Sequence, residues 1–180
     1  LPAKWQDWVS GRSAEDIHAD SIEKVIVLLA KTNDASPEES HDVNYFEELL
    51  FGDDFGSMAH YYLENSRDQT KVEGEVIGWL QLSNDISDYD EDLWKGEEYG
   101  VGEGIEEALA LADSSIDYGI YDQDSDGYID NLMVVFVGEN DAANGDGDGD
   151  GEDSDSNAIW PIQWQLQSAY STDDEVSASK

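Results

Sequence analysis

The chain contains no cysteine, so disulfide bonds cannot brace its loops and a thiol cannot serve as a nucleophile. Basic residues are also scarce, because eight Lys and Arg stand against 44 Asp and Glu, for a formal net charge of -36 at pH 7. Phosphate binding requires the opposite sign of charge, which excludes nucleic acid as a partner. No apolar run approaches the roughly 18 residues that cross a bilayer, so no membrane span is predicted.

Familiar catalytic motifs are missing as well. The chain has no Gly-x-Ser-x-Gly nucleophile motif and no phosphate-binding glycine loop. Paired carboxylates of the glycosidase kind carry no information here, because acidic residues occur throughout the sequence. We therefore predict no catalytic residue and no organic-cofactor site in this chain.

The chain does contain enough apolar and aromatic residues for a core. Hydrophobic residues make up 39% of its 180 residues, and six Trp, nine Tyr and four Phe are too many for a disordered acidic tail. One domain is predicted over residues 22–170. A lead-in at residues 1–21, with Trp5 and Trp8 as anchors, precedes it, and a tail at residues 171–180 is expected to be disordered.

Continuous apolar runs predict buried strands in a central sheet. Residues 25–30 and 132–137 are such runs, and residues 71–82 and 159–166 are further strand candidates. Because strands and helices are interspersed, we assign the chain to the α/β class, with α+β as the alternative. The expected architecture is a central mixed sheet with flanking helices.

Three helices are predicted between these strands. The first begins at residues 36–39 and stops at Gly52, and the second covers residues 57–65. The inward side chains of the second helix are predicted to be Met58, Tyr61 and Tyr62. The third helix is the most regular, because its apolar residues recur at helical spacing. These residues are Ile105, Ala108, Leu109, Ala112 and Ile116.

The most specific motif is the first acidic loop, residues 122–130, which reads Asp-Gln-Asp-Ser-Asp-Gly-Tyr-Ile-Asp. Calcium takes six to eight oxygen ligands at about 2.3–2.6 Å. Asp at positions 1, 3 and 5, Gly at position 6, a carbonyl at position 7 and Asp at position 9 match the start of an EF-hand loop. The predicted calcium ligands are Asp122, Asp124, Asp126, the carbonyl of Tyr128, and Asp130.

The match to an EF-hand ends after its ninth position. Position 12 is Met133 in place of a bidentate Glu, and a strand is predicted to follow where an EF-hand has a helix. The loop is therefore not an EF-hand, and the remaining ligand must come from elsewhere or from water. An ordinary Asp-rich turn without a metal is the alternative.

A second acidic loop, residues 146–155, is a weaker calcium candidate inside an acidic, glycine-rich stretch at residues 139–157. Asp again falls on positions 1, 3 and 5, with Gly at position 6. The candidate ligands are Asp146, Asp148, Asp150, Glu152, Ser154 and Asp155. An ordered conformation of this loop would require a bound cation, because its like charges repel each other and ordering the backbone costs conformational entropy. A flexible acidic insertion is the alternative.

Several segments occur in a characteristic order within residues 22–166. They are Val-Ile-Val-Leu-Leu at 25–29, Ser-Met-Ala-His-Tyr-Tyr-Leu-Glu-Asn-Ser at 57–66, Val-Glu-Gly-Glu-Val-Ile-Gly-Trp at 72–79, the first acidic loop, and Ile-Trp-Pro-Ile-Gln-Trp at 159–164. Together they resemble the catalytic domain of the immune-inhibitor-A family of secreted metallopeptidases. The resemblance implies a zincin-type fold, secretion, calcium for stability, and zinc-dependent cleavage of proteins.

The sequence departs from this family at the zinc site. The family's zinc ligands lie on a His-Glu-x-x-His helix after the Trp-containing segment, with the Glu as general base. No such motif occurs here, and the histidines, His18, His41 and His60, all lie upstream. His60 and Glu64 share a predicted helix face, but a catalytic zinc needs three protein ligands and a water. A half-buried or surface histidine is the expected role of His60.

Two functional hypotheses follow. In the first, the chain is the N-terminal part of a metallo-endopeptidase domain, and a C-terminal segment of the same precursor supplies the zinc ligands. The sequence opens at Leu1 without a Met or a basic, apolar leader, so a processed or excised chain is expected. In the second, the chain is an inert structural or adhesive module that self-assembles with homo-oligomer or filament neighbours through calcium. Both place it outside the cell, and its acidity fits salt adaptation as well as calcium dependence.

Overall fold

A three-stranded parallel sheet forms the centre of the fold. The computed structural model describes residues 21–89, 100–138, 169–174 and 176–178. In chain order, the strands of the sheet are β1 (Ser21–Lys31), β2 (Thr70–Gln81) and β3 (Leu132–Phe136). β1 lies between the other two and pairs in parallel with both. Helices connect these parallel strands, so the predicted α/β class is confirmed.

β1 is buried on both of its faces because its apolar run does not alternate with polar residues. Each residue from 26 to 30 has a relative exposure of 0%. The strands predicted at residues 25–30, 71–82 and 132–137 are therefore confirmed as β1, β2 and β3. The side chains of β3 are half-buried rather than buried, because β3 is an edge strand of the sheet in the described part of the chain.

Helices connect the strands in two groups. Between β1 and β2 the described helices are α1 (Val43–Phe51) and α2 (Met58–Asn65). Between β2 and β3 they are α3 (Ile86–Tyr89) and α4 (Gly100–Ala112), followed by the 3-10 turns Asp113–Ser115 and Tyr118–Tyr121. Among the described residues, these helices are all too short or too polar to cross a membrane.

α1 starts later than its sequence predicts. The expected start at residues 36–39 is wrong, because Asp42 and not Ser36 supplies the N-cap. The Asp42 carboxylate accepts a hydrogen bond from the backbone N–H of Tyr45 at 2.8 Å, which satisfies an unpaired donor of the first turn. The predicted end at Gly52 is confirmed as the C-cap.

α2 turns its tyrosines toward solvent. Tyr61 and Tyr62 are 61% and 48% exposed, so the prediction that they point inward is wrong, and Met58 is only half-buried. Neighbouring helical positions lie about 100° apart, so both rings fall on the solvent side when the helix packs on β2. There the two rings contact each other edge to face, with centroids 5.7 Å apart.

α4 confirms the helix predicted from apolar spacing. Ala108, Leu109 and Ala112 on it are at most 1% exposed. The helix ends at Ala112, earlier than the spacing predicts, and the following 3-10 turn returns Ile116 to the same apolar cluster at 6% exposure.

Each face of the sheet has its own apolar cluster, because successive residues of β1 point to opposite sides. The first face buries Ile26, Leu28 and Ala30 against α4, the 3-10 turns and the chain's last described residues. The second face buries Val27 and Leu29 of β1, mainly against α1.

The predicted disorder of the tail is wrong for its described residues. β4 (Tyr170–Ser171) and β5 (Ser177–Ala178) pair as a small antiparallel hairpin, here called the tail hairpin. Val176 and Ala178 are 8% and 1% exposed and join the first-face cluster. These two small apolar residues give the acidic tail a buried anchor.

Candidate metal centre

The first acidic loop connects the 3-10 turn Tyr118–Tyr121 to the segment that leads into β3. The backbone N–H of Asp130 donates to the carbonyl of Tyr121 at 2.9 Å and so closes the loop at its base. One residue later, the carbonyl of Asn131 accepts from the backbone N–H of Ile26 at 3.1 Å. Both ends of the loop are therefore fixed to the sheet.

Three carboxylates of the loop converge. Asp122, Asp124 and Asp126 each offer one oxygen, and these oxygens lie within 4.8 Å of one another. Asp122 is half-buried and the other two are exposed. In the described part of the chain, this is the one group of three or more His, Asp or Glu side chains with such a spacing.

Backbone amides of the loop orient these carboxylates. The N–H of Asp126 donates to Oδ1 of Asp122 at 3.0 Å and to Oδ1 of Asp124 at 3.1 Å. The N–H of Gly127 donates to Oδ2 of Asp122 at 3.0 Å, and that of Tyr128 to Oδ1 of Asp126 at 3.0 Å. The loop therefore turns its carboxylates inward by its own main chain, without help from a basic residue of the loop.

The tight path of the loop depends on left-handed backbone at two positions. Ser125 has φ 60° and Gly127 has φ 89°. Glycine adopts such a φ without steric cost, whereas a Cβ introduces strain, which explains why position 6 of the motif is glycine. No other atom lies within 4 Å of where a Cβ of Gly127 would be, so its requirement is conformational.

Asp130 lies apart from the three converging carboxylates. Its Oδ2 accepts a hydrogen bond from the backbone N–H of Gln123 at 2.7 Å, which joins positions 2 and 9 of the loop. In EF-hands the ninth position often binds calcium through a water, so this placement fits an indirect ligand. The carbonyl of Tyr128 stays a predicted ligand.

Gln123 ties the loop to β1, a role that the spacing of the acidic residues does not predict. Its side-chain Nε2 donates to the carbonyl of Ile22 at 2.8 Å, and its Oε1 accepts from the N–H of Lys24 at 2.7 Å. The side chain thus bonds to β1 as a neighbouring strand would. A single amide among carboxylates was the available signal, because an amide can both donate and accept at a strand edge, whereas an ionised carboxylate can only accept.

A buried tyrosine anchors the chain just before the loop. The hydroxyl of Tyr121 donates to Oε1 of Glu75 on β2 at 2.6 Å, and the Tyr121 side chain is 2% exposed. Burial, reinforced by the hydrogen bond to Glu75, raises the pKa of Tyr121 well above its usual value. Tyr121 therefore stays neutral and holds the residue next to Asp122 in place.

The tail hairpin holds the other side of the loop. The backbone N–H of Ser177 donates to the carbonyl of Gly127 at 2.9 Å, and the carbonyl of Ser177 accepts from the N–H of Ile129 at 2.9 Å. This bridge places Tyr128 beside Ser177. The loop is thus held between β1 and the tail hairpin.

The loop carries four acidic residues and no basic residue in nine positions. Like charges at such short range repel, and a divalent cation at their centre would replace that repulsion by attraction. An all-oxygen set of this kind suits calcium and not zinc, which prefers nitrogen and sulfur.

No zinc site forms among the residues that the structure describes. His60 and Glu64 face each other on α2, with Nδ1 and Oε2 3.9 Å apart, but they have no third ligand. His41 stacks on Tyr45, with ring centroids 4.6 Å apart. His18, the second acidic loop and the strand predicted at residues 159–166 lie outside the described residues.

Comparison with known proteins gives the family of the chain. The family described as immune inhibitor A peptidase M6, catalytic domain, matches residues 19–180. The chain belongs to this family. The sequence resemblance is therefore confirmed, and it extends to the end of the 180 residues.

An immune inhibitor A from Bacillus thuringiensis subsp. alesti is 29% identical to this M6-family chain over 182 residues. The aligned region covers 80% of this chain and 26% of that relative. The chain thus spans about a quarter of the relative's length.

Proposed function

We propose that this chain is the calcium-braced scaffold of an extracellular zinc metallo-endopeptidase domain, and that it lacks catalytic groups of its own. Family membership over residues 19–180 supports the peptidase part. The observation that carries the calcium part is the convergence of three Asp carboxylates within 4.8 Å. The secretion implied for the family supports the extracellular location.

Calcium binding in the first acidic loop would use Asp122, Asp124 and Asp126 directly. The carbonyl of Tyr128 would add a fourth oxygen, and Asp130 would bind through water, in line with its hydrogen bond to Gln123. Waters complete the shell where an EF-hand has a bidentate Glu. The cation stabilises the fold because it binds the folded loop and not the unfolded chain. The second acidic loop is proposed as a further site.

The zinc ligands would come from a part of the longer protein outside these residues. The absence of a His-Glu-x-x-His motif from the 180 residues supports this, as does the fourfold greater length of the relative. When bound, zinc would polarise the scissile carbonyl and activate a water. This chain's contribution would be the sheet and loop that carry the zinc-binding part.

Thermal unfolding in calcium and in chelator tests the calcium site. A hundredfold excess over Kd should stabilise the chain by about 2.7 kcal/mol. Asp124→Asn should lose most of this gain, because it removes one of the three carboxylates. Asp53→Asn is the matched control, since it removes the same charge at an exposed position between α1 and α2, outside the loop. An equal calcium response in both variants would rule out the first acidic loop as the site.

Proteolysis assays test whether the zinc ligands lie outside these 180 residues. The purified 180-residue chain should cleave no protein substrate, because it lacks a zinc-binding set of its own. The full-length protein should cleave a denatured protein in a manner that a zinc chelator stops. Chelator-sensitive cleavage by the 180-residue chain alone would contradict the proposal.

A second candidate function is that of an adhesive module that self-assembles through calcium-dependent contacts. Exposed rings on α2 and in the segment before it favour this function, since Phe55, Tyr61 and Tyr62 are 55%, 61% and 48% exposed. Sedimentation velocity in calcium and in chelator separates the two functions. A monomer under both conditions would rule out the adhesive module, whereas calcium-dependent assembly would support it.

A further inference from the structure

Gly127 connects a metal ligand of the first acidic loop to the tail hairpin. Its N–H donates to Oδ2 of Asp122 at 3.0 Å, and its carbonyl accepts from the N–H of Ser177 at 2.9 Å. Two residues on, the N–H of Ile129 donates to the carbonyl of Ser177 at 2.9 Å. The hairpin therefore fixes the loop on both sides of Tyr128, the predicted carbonyl ligand.

The tail hairpin also holds the residues that precede the loop. Oδ2 of Asp174 accepts a hydrogen bond from the backbone N–H of Tyr118 at 2.8 Å. Tyr118 opens the 3-10 turn Tyr118–Tyr121, whose C-cap is Asp122, the first residue of the loop. The hairpin itself is held by Val176 and Ala178 in the first-face cluster. One small element thus contacts the chain before and within the loop.

We propose that cation binding in the first acidic loop and docking of the tail hairpin are coupled, so that calcium acts as a latch on the tail hairpin. The docked hairpin holds the loop in the conformation that gathers the carboxylates, and a bound cation holds Gly127 and Ile129 where Ser177 meets them. Because the coupling free energy is shared, each event strengthens the other by the same factor. This inference rests on the calcium binding proposed above.

Two matched valine variants test the coupling. Val176→Ala shortens a side chain that is 8% exposed in the hairpin, and Val76→Ala shortens one that is 4% exposed in the second-face cluster. Both remove the same two methyl groups from buried sites, but only Val176 belongs to the element that contacts the loop. The calcium site is defined as the binding, measured by titration calorimetry, that Asp124→Asn abolishes.

Val176→Ala should lower the calcium affinity of that site about fivefold or more, the lower end of typical coupling, and Val76→Ala should leave it unchanged. Equal affinities of both variants and the unsubstituted chain would overturn the coupling and leave the calcium site intact. If the unsubstituted chain has no site that Asp124→Asn abolishes, the proposed calcium function fails, and the coupling fails with it.

Hydrogen exchange on the unsubstituted chain keeps the test decisive if Val176→Ala does not fold. Calcium should slow exchange of the amides of Ser177 and Ile129 about fivefold or more, because both take part in the bridge. The amide of Tyr45, which bonds to Asp42 on the second face, is the internal control. Slowing at all three amides by one factor would overturn a local latch.

Discussion

The two faces of the sheet share β1 but differ in how far their tyrosine side chains are buried. On the first face, Tyr89, Tyr118 and Tyr121 are at most 2% exposed. Tyr61 and Tyr62 lie on α2, which packs beside α1 of the second face, and are 61% and 48% exposed. The buried tyrosines each bond a protein acceptor through the hydroxyl. Tyrosine is thus buried where an acceptor is within reach, and not merely where the chain is apolar.

The first face also carries the elements that bear on function. The first acidic loop follows directly from Tyr121, and the tail hairpin packs into the first-face cluster. On the second face, α1 and α2 have no buried residue. The second face still buries Val27 and Leu29 of β1, but its helices contribute no buried residue, so outer positions of α1 and α2 should tolerate change. The proposed metal site adjoins the first face.

The largest contrast between the faces is expected from two leucines. Leu109→Ala on the first face removes a side chain that is 0% exposed and should destabilise the fold by about 2–5 kcal/mol. Leu49→Ala on α1 removes one that is 45% exposed and should change stability by no more than about 0.5 kcal/mol. Urea unfolding measures both. Similar losses would show that the second face is as important to stability as the first.

A hydrogen-bonded pair on the first face should give the fold a pH dependence. The hydroxyl of Tyr89 donates to Oε2 of Glu107 at 2.6 Å, and Ser83 donates to Oε1 of the same carboxylate. Burial raises the pKa of Glu107, but the hydrogen bonds from Ser83 and Tyr89 outweigh it, so the pKa is lowered. Burial, with the bond to Glu107, raises the pKa of Tyr89 from 10.0 to about 12.

The signs of these two shifts define the pH window. A lowered Glu107 pKa gives stability that is present above 4.5, its unfolded value, and lost as pH falls through the folded pKa. A raised Tyr89 pKa gives stability that is present below pH 10.0 and lost as pH rises through about 12. Glu107→Gln should cost about 1–2 kcal/mol near neutral pH and flatten the acid limb of unfolding curves. An unchanged acid limb would assign that limb to other carboxylates.

A smaller effect is expected at the cap of α1 on the second face. Asp42→Ala removes the acceptor of the Tyr45 N–H and should destabilise the fold by about 1 kcal/mol. Asp42→Asn keeps a capping oxygen while removing the charge, so it should be nearly neutral. Thermal unfolding compares the two. Equal losses would mean that the charge of Asp42, and not its cap, is what matters.

The sequence predicts the centre of the fold well, because the buried segments there are marked by continuous or regularly spaced apolar residues. The short, β-branched apolar run of β1 favours a buried strand, and the spacing of Ala108, Leu109 and Ala112 favours a helix. The start of α1 was missed because Ser36-Pro37 and Asp42 are both good helix starts, and tertiary contacts decide between them. The exposure of Tyr61 and Tyr62 on α2 was not predicted, because the sequence of so short a helix does not indicate which side packs against the sheet.

The candidate site was predictable in its ligands but not in its supports. Alternating Asp residues and a glycine at the turn position identify the loop from local spacing alone. Gln123 and Ser177 support the loop through contacts that are distant in sequence, to Ile22 and to Gly127. The spacing of residues within one segment does not indicate contacts with a distant segment. The role of the tail hairpin is therefore visible only in the folded structure.

Native mass spectrometry of the chain equilibrated with calcium measures directly whether the first acidic loop binds a calcium ion. The unsubstituted chain should retain one calcium more than a variant with Asp122→Asn, Asp124→Asn and Asp126→Asn together. Counting the difference isolates the first acidic loop from any calcium held elsewhere. The triple variant should therefore bind one calcium fewer than the unsubstituted chain. The same calcium count in both proteins would contradict this prediction.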